Sequence, residues 1–154
     1  MAENILMDTS DRMHDIAVVG MSCRFPGARD TAAFWRNLRA AAESISFFSD
    51  DDLLAAGVSR EQLQDPSYVR AYGAMPDAYA FDAHFFGVNP SEARVMDPQQ
   101  RVFLECVWSA LEYAGCDPRR FDGAIGVFAG SGNNHHHARV LSHAELVSSV
   151  GNKI

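Results

Sequence analysis

The sequence predicts an α/β fold, with helices laid over a buried and mostly parallel sheet. Two observations carry this. Residues 16–21 (Ile-Ala-Val-Val-Gly-Met) and 124–129 (Ala-Ile-Gly-Val-Phe-Ala) are continuously apolar runs, and the chain between them carries the caps and spacing of helices. A run that is apolar throughout, rather than in alternation, suits a strand buried on both faces of a covered sheet. About a hundred residues separate the two runs, far more than the roughly a dozen that a minimal parallel crossover needs.

Taken in order, residues 1–13 mix polar and apolar side chains and read as a leader or linker, so the folded region is expected over 14–154. After the first run, Asp30 is placed to cap a helix, since its carboxylate accepts from backbone N–H groups that otherwise lack partners. Phe34, Trp35, Leu38, Ala41, Ala42 and Ile45 then recur at helical spacing on one face. Residues 46–80 are less regular. Asp50, Asp51 and Asp52 precede Leu53 and Leu54 as the cap of a short helix, and Ser59 with Gln62 has the form of a capping box. Residues 68–75, with Gly73, read as short extended structure ending in a turn.

The clearest local signal spans 89–115. Asn89-Pro90-Ser91-Glu92 and Asp97-Pro98-Gln99-Gln100 share one form: an Asx cap, Pro at the first helical position, and Glu or Gln at the third. The first predicts one or two helical turns. The second opens a long helix whose apolar face is Val102, Phe103, Cys106, Val107, Ala110, Leu111 and Ala114, stopped by Gly115 with Pro118 beyond.

Composition bounds the function classes. The 154 residues are 47% hydrophobic and 21% charged, a globular balance. A net charge of −7, from 13 basic and 20 acidic residues, argues against nucleic acid or an anionic membrane as partner. No run of about 20 apolar residues is present to span a bilayer. Cys23, Cys106 and Cys116 are an odd count without ligand spacing, which reads as free thiols in a reducing cytoplasm.

Each residue type that could carry chemistry has a plainer reading. Cys23 follows the first apolar run, with no histidine near it in sequence, and reads as a packed thiol. Cys106 falls on the helix's apolar face, and Cys116 just after the helix stop. His135, His136 and His137, with His143, invite a metal, but adjacent residues point in different directions and no carboxylate or cysteine joins them at ligand spacing; a polar loop is expected. His84 lies among aromatic residues 81–86, where packing is expected. Gly126, Gly130 and Gly132 lack the third glycine of a dinucleotide loop. Asp97, Arg101 and Glu105, at i, i+4 and i+8, predict a ladder of ion pairs along the helix, with Asp97 structural as the cap. Read this way, none of these residues is assigned a catalytic, cofactor-binding or metal-ligating role.

Five ordered segments resemble the opening of the ketosynthase domain of modular type I polyketide synthases. They are residues 15–27 (Asp-Ile-Ala-Val-Val-Gly-Met-Ser-Cys-Arg-Phe-Pro-Gly), 34–38 (Phe-Trp-Arg-Asn-Leu), the stretch from 81–87 through Met96-Asp97-Pro98-Gln99-Gln100-Arg101, then 108–115 and 126–130. Residues 47–58 are similar to ketosynthases of synthases served by separate acyltransferases, or of hybrid peptide–polyketide lines.

The resemblance implies that 14–154 is the N-terminal portion of a thiolase-type fold, α/β with layered helix and sheet and incomplete in this chain, usually a homodimer. It implies decarboxylative Claisen condensation, in which a cysteine takes an acyl chain from the phosphopantetheine arm of an acyl carrier protein and two histidines assist. The family's cysteine sits in a Thr-Ala-Cys-Ser-like motif expected after Gly151-Asn152-Lys153-Ile154, where this sequence also departs from the family's Gly-Asn-Asp-Lys. The histidines are expected later still. The chain is thus expected to be inactive by itself and to need the remainder of the ketosynthase. The alternative is a catalytically inactive scaffold derived from a ketosynthase.

Overall fold

The computed structural model describes residues 15–75, 77–132, 136 and 140–143. The expected leader 1–13, His135, His137 and residues 151–154 lie outside them. Five helices and one small sheet are described: α1 (Thr31–Arg39), β1 (Ser46–Phe47), α2 (Asp50–Ala55), α3 (Arg60–Gln64), β2 (Ala71–Tyr72), α4 (Pro90–Val95) and α5 (Pro98–Tyr113).

Every helix begins on a side-chain cap. Asp30 accepts from the Ala33 amide at 2.6 Å, as expected. The α2 cap is Ser49 rather than the aspartates after it, and Asp52 closes a capping box with it. Ser59 and Gln62 form the predicted box on α3. Asn89 and Asp97 cap α4 and α5, and their oxygens take the amide two residues on, from Ser91 and Gln99. Asp52 is held below the ordinary carboxylate range because the Ser49 hydroxyl and backbone N–H both donate to it.

Three helices end in the same way. In α5 the Cys116 amide reaches back to Leu111 O and the Gly115 amide to Glu112 O, with Gly115 at φ 62°. In α2, Val58 and Gly57 repeat the pattern on Leu53 and Leu54. In α1, Ala42 bonds Asn37 O and Ala41 bonds Leu38 O, so Ala41 takes the left-handed position at φ 50°. The helix therefore stops at Arg39, and Ala41, Ala42 and Ile45 fall outside the helical face predicted for them.

Strand β1 pairs antiparallel with β2, Ser46 opposite Tyr72 and Phe47 opposite Ala71. Phe48 stacks on Tyr72 at 4.3 Å. Arg70 fastens this ribbon to the two short helices, binding Asp50 at 2.6 Å and the Leu63 carbonyl at 2.6 Å. Leu53 and Leu63 are buried beneath.

The two runs expected as buried strands form no strand and pair with none among the described residues. Ile16 is 94% exposed and Phe128 96% exposed. Neither run is therefore a paired strand among the described residues, in keeping with a sheet that is incomplete in this chain, and the one sheet described is antiparallel. A strand's N–H and C=O groups need a neighbouring strand, and a run apolar on both faces needs layers above and below. One close contact exists: residue 20 lies so near α5 that an added Cβ would run into the Ala110 carbonyl oxygen, and glycine fits. The predicted α5 face is half-buried apart from Phe103, which is exposed. Phe85 meets Trp108 edge-on at 4.8 Å.

Candidate functional site

The start of α5 brings together two buried charged side chains. Asp97 and Arg101 are the buried charged residues among those described. The Asp97 carboxylate accepts from the Gln99 amide at 2.8 Å and from the Gln99 side-chain Nε2 at 3.4 Å. Arg101 turns back rather than along the helix. Its Nε and Nη2 both donate to Met96 O, at 3.1 and 2.8 Å, and its Nη1 donates to Tyr79 O at 2.9 Å.

The expected ladder does not form. Asp97 is already taken as the cap and Arg101 is occupied by carbonyls, while Glu105 accepts from Arg24 at 3.0 Å. Arg24 also pairs with Asp77 at 3.1 Å, and Asp77 with Arg29 at 2.8 Å. This chain of charges ties the loop after the first apolar run to the segment before residue 79 and to α5. No local spacing announced it, because Arg24 and Glu105 stand 81 positions apart. Beside it an open groove of about 660 Å³ is lined by Arg24, Arg29, Arg36, Asp30, Glu43 and Asp77. Basic and acidic walls alternate, so no single charge is favoured there.

The cysteines are free and half-buried. Burial pushes the Cys23 thiol up, and Cys106 and Asp30 nearby push it the same way. That is the opposite of what activates a nucleophilic thiol, which needs positive surroundings or a helix N-terminus. His84 is exposed, and the packed rings are Phe81, Phe85, Phe86 and Trp108. The packing role expected of His84 is therefore corrected: its neighbours form the aromatic cluster without its ring. Among the described residues no three His, Cys, Asp or Glu side chains converge as a metal set. The ring of His136 faces that of Tyr79 at 6.2 Å. Gly130 and Gly132 border α5, and the Gly132 amide donates to the Gln99 side-chain oxygen at 2.9 Å.

Comparison with known proteins extends this geometry. The family described as beta-ketoacyl synthase, N-terminal domain, matches residues 13–152. The chain is 56% identical over 116 residues to a component of the phenolphthiocerol/phthiocerol polyketide synthase of Mycobacterium tuberculosis, covering 75% of this chain and 8% of that protein. It is 41% identical over 139 residues to pikromycin polyketide synthase component PikAII of Streptomyces venezuelae, covering 84% of this chain and 4% of that one. Among solved structures, ketosynthase twelve of the bacillaene polyketide synthase of Bacillus amyloliquefaciens is similar with a TM-score of 0.54 and 42% identity, over 62% of this chain and 17% of that one. The module 6 ketosynthase of the bacillaene synthase of Bacillus subtilis is similar with a TM-score of 0.54 and 36% identity, over 67% and 17%. The chain thus spans less than a tenth of these curated relatives and about a sixth of these solved ketosynthases.

The likeness at this identity fixes the class as the layered α/β of thiolase-type ketosynthases. The chain belongs to the beta-ketoacyl synthase family, over the part that family describes as its N-terminal domain.

Proposed function

We propose that the polypeptide bearing this chain is a ketosynthase of polyketide assembly. Residues 14–154 form the N-terminal portion of that domain and 1–13 a leader. The reaction is decarboxylative Claisen condensation. An acyl group rests as a thioester on a cysteine. A malonyl thioester on an acyl carrier protein loses carbon dioxide, and the resulting enolate carbon attacks the acyl carbonyl. The new C–C bond forms as the C–S bond breaks, and the cysteine thiolate leaves and takes a proton. The cofactor group is the carrier's phosphopantetheine arm, the enzyme acts as a homodimer, and its setting is the cytoplasm.

None of Cys23, Cys106 and Cys116 serves as the nucleophile in this reading, and no residue of 1–154 is catalytic. The family match over 13–152 carries the proposal. The raised Cys23 thiol supports its second half, because the thiolate fraction at neutral pH is then below that of an ordinary thiol. This chain's own contribution is a floor: α5, its capped first turn and the Arg24–Asp77–Glu105 tie hold the elements on which the remainder is built.

The test uses the full-length polypeptide with an acyl thioester and a malonyl-loaded carrier protein. A β-ketoacyl product on the carrier, with carbon dioxide released and peptide mapping that finds the acyl adduct outside residues 1–154, is the expected result. A stoichiometric adduct on Cys23, Cys106 or Cys116 contradicts the site assignment. Acyl transfer or condensation absent from a folded, carrier-competent protein supports the scaffold reading instead.

A further inference from the structure

The Met96–Arg101 motif supplies no group to the condensation in this reading, yet its helical turn is densely hydrogen-bonded. Two of its side chains leave the helix in different directions. Gln99 reaches Gly132, 33 positions on. Arg101 reaches the Tyr79 carbonyl, 22 positions back. On the Tyr79 side, the ring of His136 also lies tilted against that of Tyr79, with centroids 6.2 Å apart.

The geometry points to Gln99 as a positioning residue that fixes residues 130–132 against α5, with Arg101 as the fixed side of the same clamp. The orientation of the Gln99 amide is not arbitrary. An ionised carboxylate only accepts, so Asp97 takes the Nε2 side and leaves Oε1 to accept from Gly132. Asp97 is itself set by capping the helix through the Gln99 backbone amide. The cap thereby transmits its position through one side chain to the backbone beyond the second apolar run. Arg101 supplies the rigid counterpart. A planar guanidinium with three donors committed to two carbonyls, in a residue 7% exposed, has little freedom to swing.

The part of this inference that concerns turnover rests on the ketosynthase reading; the clamp itself does not. The experiment compares Gln99→Met, which keeps length and loses the acceptor, with the pair Asp97→Asn and Gln99→Glu, which keeps an acceptor for Gly132 and a helix cap without setting two carboxylates together. Both are made in the full-length polypeptide. In Gln99→Met the Gly132 amide is expected to exchange with solvent roughly tenfold faster, as befits the loss of one hydrogen bond. Condensation kcat is expected to fall roughly tenfold, because small misplacements of a positioned segment are costly. KM for the malonyl carrier stays within about twofold, since no carrier contact is removed. The Asp97→Asn, Gln99→Glu pair restores most of both.

Unchanged Gly132 exchange in Gln99→Met overturns the clamp and leaves the ketosynthase reading intact. Faster exchange with unchanged kcat confines Gln99 to stability and overturns its positioning role. Equal losses in Gln99→Met and in the Asp97→Asn, Gln99→Glu pair also overturn it, because the acceptor would then not be the feature that matters. Should the wild-type polypeptide show no condensation, the exchange readings still decide the clamp, and the ketosynthase reading fails separately.

Discussion

The first turn of α5 and the two apolar runs beside it border the same helix and reach opposite conditions. In the turn, every polar group named has a partner within a few residues or across one short gap, and Asp97 and Arg101 are each 7% exposed. In the runs, Ile16, Val18, Val127 and Phe128 stand 68% exposed or more, with no ladder beside them among the described residues. A cap is a local device that folds with the residues next to it. A doubly buried strand is only one layer of something larger, and its side chains specify neighbours that must come from elsewhere. The α5 turn is finished within this chain, and the runs wait for a sheet.

The largest break in that comparison is expected from Val18→Asp in the full-length polypeptide. If residue 18 becomes a doubly covered strand position there, a carboxylate at that point costs several kcal/mol. Thermal unfolding should show a collapse of stability, and an unchanged melting temperature would mean the run stays in water. Arg101→Met comes next. It frees the Met96 and Tyr79 carbonyls from a charged donor, which costs about 1.5–3 kcal/mol, readable as a lower denaturant midpoint. A variant as stable as wild type would show those carbonyls satisfied by other means.

Asp97→Ala is smaller. Loss of one helix cap costs about 0.5–2 kcal/mol. A neutral result would mean that Pro98 and the packing of α5 set the helix start without it. The smallest effect is a gain. Ala41 occupies the left-handed position that Gly57 and Gly115 hold at the ends of α2 and α5. Ala41→Gly is therefore expected to stabilise by about 0.5–1 kcal/mol, the relief of the Cβ clash less the added chain entropy. Loss of stability instead would show that the Ala41 methyl is packed.

These four positions also mark what can be read from the sequence. The starts of α1, α3, α4 and α5 are legible because Asp30, Ser59, Asn89 and Asp97 act on residues two or three places away. The α5 stop is legible in Gly115, and the α1 stop is not, because Ala41 takes the place of a glycine. Ser49 is hidden beside three aspartates that look like better caps. The Asp97–Arg101–Glu105 ladder fails for a different reason. Regular spacing predicts pairing along a solvated helix face, whereas Arg101 is buried and finds carbonyls. The partners of Arg24 and Gln99 lie 81 and 33 positions away, and no local pattern encodes such distances. The family resemblance is legible from short ordered motifs, and the match over 13–152 bears it out. The two apolar runs announce what they require, and the layered fold they point to is that of the ketosynthases the chain resembles.

Amide hydrogen exchange, measured on the 154-residue chain alone and on the full-length polypeptide, tests the central claim most directly. Residues 98–113 are expected to be protected in both, since α5 carries its own caps and bonds. Residues 16–21 and 125–128 are expected to exchange freely in the chain alone and to become among the slowest amides in the full-length protein, as central strands do. Fast exchange of both runs in the full-length protein, or strong protection of both in the isolated chain as a monomer, would contradict the account.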